Sequence, residues 1–138
     1  MGNHISIYDK DNNYIGYSVR GMLCGFLAEK IIRKYVPDYN FEIEESWAKL
    51  CDMQNEISPE DKVIIALFFS DNSSFDENDI PALEKAIQSY PAEHKNTGPL
   101  MHLNDCLRTI RKHGKVTYKY EHTSMAMTMT KSEATNGN

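Results

Sequence analysis

The sequence predicts an α+β domain, a small mixed or antiparallel sheet of about four strands packed against about four helices, in the order β-β-α-α-β-α-α-β. Three observations carry that expectation. Val63-Ile64-Ile65-Ala66-Leu67-Phe68-Phe69 is a continuous apolar run, the pattern of a strand buried on both faces. Two other segments, Val19 to Ile31 and Leu100 to Ile110, repeat apolar residues at helical spacing. Val116-Thr117-Tyr118-Lys119-Tyr120 alternates strictly, as a half-exposed strand does.

The elements follow in order along the chain. Ile5 and Ile7, then Tyr14, Ile15 and Tyr17, form two short strands around the turn Asp9-Lys10-Asp11-Asn12-Asn13. Ser18 is placed to cap a helix that buries Val19, Met22, Leu23, Phe26, Leu27 and Ile31. That helix ends before Pro37, because the residue preceding a proline is pushed out of the α region. Gly21 and Gly25, four apart, let it approach a neighbouring element closely. A second helix covers Glu44 to Met53 and buries Trp47, Leu50 and Cys51, with its glutamates near the positive N-terminus.

Ser58-Pro59-Glu60-Asp61 reads as a turn into the buried strand. The strand breaks at Ser70-Asp71-Asn72-Ser73-Ser74, whose short polar side chains compete for backbone hydrogen bonds and make a loop. Beyond Pro81 an amphipathic helix runs through Ile87 and ends near Tyr90-Pro91. Thr97-Gly98-Pro99 leads into the last helix, with the stripe Leu100, Leu103, Cys106, Leu107 and Ile110. Arg108, Arg111 and Lys112 lie near its negative end, and Gly114 is a natural residue just past its stop. The alternating last strand is expected at an edge of the sheet, where Lys119 and Glu121 discourage uncontrolled pairing. Residues 1–122 form one domain, and the Met/Thr/Ser-rich residues 123–138 carry no core pattern and are expected to be disordered.

Composition narrows the function classes. With 138 residues the chain can build one domain with a real core. No apolar run approaches the roughly 20 residues that span a bilayer, and the N-terminus lacks the pattern of a secretion signal. Cys24, Cys51 and Cys106 are far apart and odd in number, as expected of reduced thiols facing the core of a cytoplasmic protein. Charge is unevenly divided: residues 42–84 hold twelve acids against Lys49 and Lys62, a local −10 within a net charge of −5. Such a field steers association with oppositely charged partners, and the acidity argues against nucleic-acid binding.

The motifs give no catalytic residue, metal site or cofactor. The Asp9–Asn13 stretch begins like a calcium loop, but Tyr14 stands at the sharp-turn position and Arg20 at the bidentate one. The histidines show no zinc spacing, and His102 with Cys106 is the best pair, a thiol inert if buried in the apolar stripe. Asp71, Asp76, Glu77 and Asp79 either cap the helix that follows or gather around a hard cation. Tyr14, Tyr17, Tyr118 and Tyr120 with Lys119 form an aromatic band if the first hairpin lies beside the last strand.

The opening Gly2-x-x-Ile5-x-Ile7-Tyr8-Asp9, the stop Phe69-Ser70-Asp71 before an acidic helix start, and Leu103-x-x-Cys106-Leu107 with Gly114 and a closing strand make an outline over most of residues 1–121. That outline resembles small bacterial immunity-type proteins that neutralise a partner toxin. The resemblance implies an inhibitor acting by surface complementarity, without cofactor or catalysis. The Met/Thr tail has no counterpart there, and no residue carries over as a known contact.

The expectation is therefore a cytoplasmic binding protein that masks a basic surface of another protein through Asp71, Asp76, Glu77 and Asp79, with Glu44 and Glu45 as a second group. The alternative is a small enzyme or a ligand- or cation-binding domain that uses the acidic loop after the central strand, with Asp71 as its acid/base group or cation ligand. A homo-oligomer paired through the Val116–Tyr120 edge is a further expectation.

Overall fold

The first hairpin forms where the sequence places it. In a computed structural model that describes residues 3–89 and 98–120, β1 (Asn3–Asp9) pairs antiparallel with β2 (Tyr14–Arg20). Asp9 Oδ1 accepts the amides of Asp11 and Asn13 at 2.9 Å each, and Asn12 takes the left-handed conformation with φ 66°. The calcium-like stretch is thus an Asx-stabilised turn that directs its carboxylate at its own backbone.

Among the described residues five α-helices and two more strands follow: α1 (Met22–Tyr35), α2 (Glu44–Asp52), α3 (Pro59–Phe68), β3 (Asn72–Asp76), α4 (Ile80–Ser89), α5 (Gly98–His113) and β4 (Lys115–Tyr120). The fold class is α+β, with one antiparallel four-stranded sheet in the order β2-β1-β4-β3. Ile5, Ile7, Phe75, Val116 and Tyr118 bury the helix-facing side of the sheet in one core with Ile32, Leu83, Leu103, Cys106 and Ile110. The last helix carries its expected stripe, and Gly114 closes it at φ 82° with its amide on the Ile110 carbonyl.

Several local expectations are corrected. The apolar run 63–69 is helical, and the third strand lies in the stretch read as a loop. Ser58 caps α3 by accepting the Asp61 amide at 3.3 Å, and Pro59 opens its first turn. The run is apolar all round because α3 is enclosed: Val63, Ile64, Ile65, Leu67 and Phe68 are all buried. Asn72–Asp76 becomes a strand by pairing with β4, with Phe75 in the core and the Ser73 hydroxyl donating to the Ala66 carbonyl at 2.6 Å.

α1 turns a different face inward. Ser18 and Val19 belong to β2, Gly21 is the N-cap, and the buried residues are Cys24, Ala28, Ile31 and Ile32. Met22, Leu23 and Phe26 are exposed, and on α2 so are Trp47 and Cys51, leaving Leu50 and Ser46 buried. Nor do the glycines serve close packing: a Cβ built on Gly21 or Gly25 would meet nothing within 4 Å.

The last strand is interior. β4 is paired with β1 on one side and β3 on the other, so Val116–Tyr120 offers no edge to a second copy. The two edges are β2 and β3. Closing the sheet with the C-terminal strand between two earlier ones brings Tyr120 beside the start of β3, where its amide donates to the Asp71 carbonyl at 2.7 Å. The expected helix end at Tyr90-Pro91 and the tail 123–138 lie outside the described residues.

Candidate functional site

The junction of β2 with α1, the loop into α2 and the end of α3 enclose an open groove of about 1230 Å³. One wall is the outward face of α1, with Met22, Phe26 and Glu29 and a gap at Gly25. The opposite wall is Phe41 with Glu44, Trp47 and Ala48 of α2. Aromatic rings hold this wall in place. Phe41 and Trp47 lie 5.7 Å and 5.6 Å from the Phe69 ring, and buried Tyr39 packs behind Phe41 at 4.6 Å. Arg33 fixes the loop by donating to the carbonyls of Pro37 and Tyr39 at 3.2 Å and 3.0 Å, its guanidinium 5.1 Å above Phe41.

Arg20 lies at the head of the groove and is only 7 % exposed. Its Nη2 donates to the Ser70 carbonyl, and its guanidinium stands 5.6 Å from the Tyr120 ring. Nε has no acceptor among the described residues. Burial lowers the Arg20 pKa, and the nearby Asp71 carboxylate is the chief influence resisting that shift. Three carboxylates line the same groove, those of Glu29, Glu44 and Asp71. The first is paired to Arg33 at 3.1 Å one helical turn on.

The expected binding residues separate into two places. Asp71 and Glu44 meet in this groove, with Glu45 exposed beside Glu44 in the first turn of α2. Asp76, Glu77 and Asp79 sit at the far end of β3, roughly 15 Å along the strand from Asp71. There Asp76 Oδ1 accepts the Asn78 amide and Asp79 Oδ2 accepts the Asp76 amide, both at 2.9 Å, a reciprocal cap on the turn that leads into α4.

Much of the acidic middle is engaged inside the fold. Asp61 is paired with Lys34 at 2.6 Å, Glu84 with Arg111 at 2.6 Å and Glu60 with Lys85 at 3.7 Å. The local −10 is therefore not one continuous face. Among the described residues no three His, Cys, Asp or Glu side chains gather as a metal site would require.

His102 and Cys106 do share a helix face without making a reactive pair. Cys106 is fully buried, and burial pushes its thiol up to about 12 despite the Tyr118 hydroxyl beside it. His102 Nδ1 lies 3.0 Å from the Ser18 hydroxyl, which ties α5 to β2. The tyrosine band is divided by the pleat. Tyr118 is buried against the helices, whereas Tyr14 and Tyr17 are exposed, with Tyr17 stacked on His4 at 5.1 Å.

Arg20, Phe26, Phe41, Trp47 and Phe69 are not legible as one site in the sequence: Phe26 and Trp47 fit core stripes, Phe69 ends an apolar run, Arg20 stands out only against a calcium-loop pattern, and Phe41 carries no local signal. The usable signal was Gly25, a glycine inside a helix that nothing in the fold packs against. No family model, curated protein or solved structure matches the chain.

Proposed function

We propose that this chain is a cytoplasmic binding protein of the immunity or anti-defence kind, which inhibits another protein by covering a basic surface. The observation that carries this reading is the convergence of Glu29, Glu44 and Asp71 around an exposed aromatic wall. Phe41, Ile43 and Trp47 are each about two-fifths or more exposed, a cluster beyond the scattered apolar residues of an ordinary surface. Aromatic surface of this kind supplies the contact energy of interfaces, and the acidic rim speeds and orients encounter with a basic partner. Free Cys24, Cys51 and Cys106 accord with a reducing compartment.

The test is affinity capture from native lysate with the full chain and with a Glu44→Gln/Glu45→Gln variant, at low and moderate salt. Both residues are exposed, so neutralising them leaves the fold intact. The reading expects one stoichiometric basic protein, retained at low salt by the parent chain and released by salt or by the double substitution. A partner held equally by both chains at both salts would remove the acidic rim from the interface.

A further inference from the structure

Gly25 is the fourth residue of α1, at the end of its first turn, and a Cβ built there would meet nothing within 4 Å. Glycine is the least favourable residue for a helix interior after proline, and here no neighbouring element requires it. What it does is leave the α1 wall of the groove without a side chain between Met22 and Glu29, beside Phe26. Gly21, four residues earlier, opens the same wall at the helix cap. Two glycines one turn apart on the same wall let another backbone lie close against α1.

A second, independent feature points the same way. Arg20 is more than nine-tenths buried, lines the groove and has an Nε that lacks an acceptor among the described residues. A buried donor without a partner is costly, and because this one is closed off from solvent, an incoming oxygen acceptor reaches it when the head of the groove opens on binding.

The groove also limits the form of what fills it. Its walls are side chains of α1 and α2 and the aromatic cluster on Phe69, and of β3 only Asn72 reaches it. An extended segment lying there would find no ladder for its own amides, whereas a helix satisfies them internally. Resting on the reading that the groove takes a protein partner, we propose that its occupant is an amphipathic basic helix of that partner. Its backbone crosses α1 at Gly25. Its apolar side chains pack on Phe26, Phe41 and Trp47, and its basic flank meets Glu44 and Asp71. A carbonyl or side-chain oxygen near one end supplies the acceptor for Arg20.

The chain has a single tryptophan, Trp47, so its emission reports groove occupancy directly. The probe is a library of random 16-residue peptides displayed on phage and selected against the full chain, with enriched sequences then synthesised. The selected peptides should carry Lys or Arg beside apolar residues spaced three and four apart, and should shift Trp47 emission saturably. Gly25→Leu should weaken them at least about tenfold while the chain keeps its circular dichroism and melts no lower. Leu23→Ala, an exposed apolar position of α1 outside the groove, should leave affinity unchanged.

Failure to enrich any peptide, enrichment of peptides without helical spacing or of acidic ones, or binding indifferent to Gly25→Leu would each overturn the proposal. A free chain that sediments as a dimer and becomes monomeric with Gly25→Leu would assign the groove to a second copy, which also overturns it. The two readings fail separately. A lysate partner that is lost with Glu44→Gln/Glu45→Gln but binds Gly25→Leu normally leaves the acidic rim standing and removes the helix from the groove.

Discussion

The Tyr35 hydroxyl donates to Oδ2 of Asp61 at 2.5 Å and accepts the Ser58 amide at 3.2 Å, joining the last residue of α1 to the first turn of α3. Lys34 adds a 2.6 Å ion pair to the same carboxylate. This joint sets where α3 begins relative to α1, and so places Phe69 and Ser70, at the end of α3, in the groove.

Removing the joint should be measurable in urea. Tyr35→Phe should cost about 1–2 kcal/mol, and Asp61→Asn about 2–3 kcal/mol, because each leaves buried groups without partners. Burial works against the Asp61 carboxylate, but its bonds from Lys34, Tyr35 and Ser58 outweigh that and hold its pKa below the ordinary 3.8. A depressed carboxyl pKa contributes stability above 3.8 that is lost as pH falls through the lowered value. The gap between the parent and Asp61→Asn should thus be constant near neutrality and shrink below about pH 4. A gap that stays constant into strong acid would mean the carboxylate is not held this way.

His102 gives the opposite end of the acid range. Burial lowers its pKa below 6.5, since a charge would be poorly solvated beside Phe68 and the Ser18 hydroxyl. The folded state resists protonation, so stability should decline as pH falls from the ordinary value of 6.5 toward the lowered one. Melting temperatures of the parent and of His102→Asn between pH 7.5 and pH 5 check this, in a range chosen to bracket the ordinary histidine value of about 6.5. The parent should lose more than the variant, and parallel curves would contradict it.

Thiol labelling separates the three cysteines. Cys51 is exposed and Cys24 and Cys106 are fully buried. The native chain should react with one equivalent of an aromatic disulfide reagent within minutes, and with the remaining two only on the timescale of unfolding. Rapid labelling of Cys106, whose thiol stands near 12, would show that α5 is not packed as described.

Thr117 tests the sheet order. It lies in the interior strand, opposite Tyr8 on one side and Ser74 on the other, and its hydroxyl is 2.9 Å from that of Ser74. Thr117→Pro should destabilise by about 3 kcal/mol or more, against about 1 kcal/mol for Thr117→Ala. An edge strand would tolerate the proline far better. Equal effects of the two substitutions would return β4 to an edge.

Signals confined to a few neighbouring residues are legible in the sequence. The Asp9–Asn13 turn and the α5 stripe with Gly114 depend on neighbours in sequence, and both stand as expected. The Val63–Phe69 run shows the limit. A short apolar run fits a buried strand and a buried helix equally, and the Ser58-Pro59-Glu60-Asp61 start that distinguishes them has the residue types of a turn as well as of a helix cap.

By itself the sequence determined the α+β class, the hairpin, the extent of α2 and the stop of α5 at Gly114, because backbone caps and helical spacing act over one or two turns, while it left the acids before α4 between a cap and a cation site. Only the tertiary structure decided that Ser73 and Phe75 form a strand, that β4 lies inside the sheet, and that α1 buries Cys24 and Ala28 while Met22 and Phe26 face out. Those outcomes depend on which surfaces meet across the whole chain. Burial against β4 overrides the turn preference of Asn72-Ser73-Ser74, and an apolar helix with residues on more than one face leaves its choice of inward face to the neighbours it packs on.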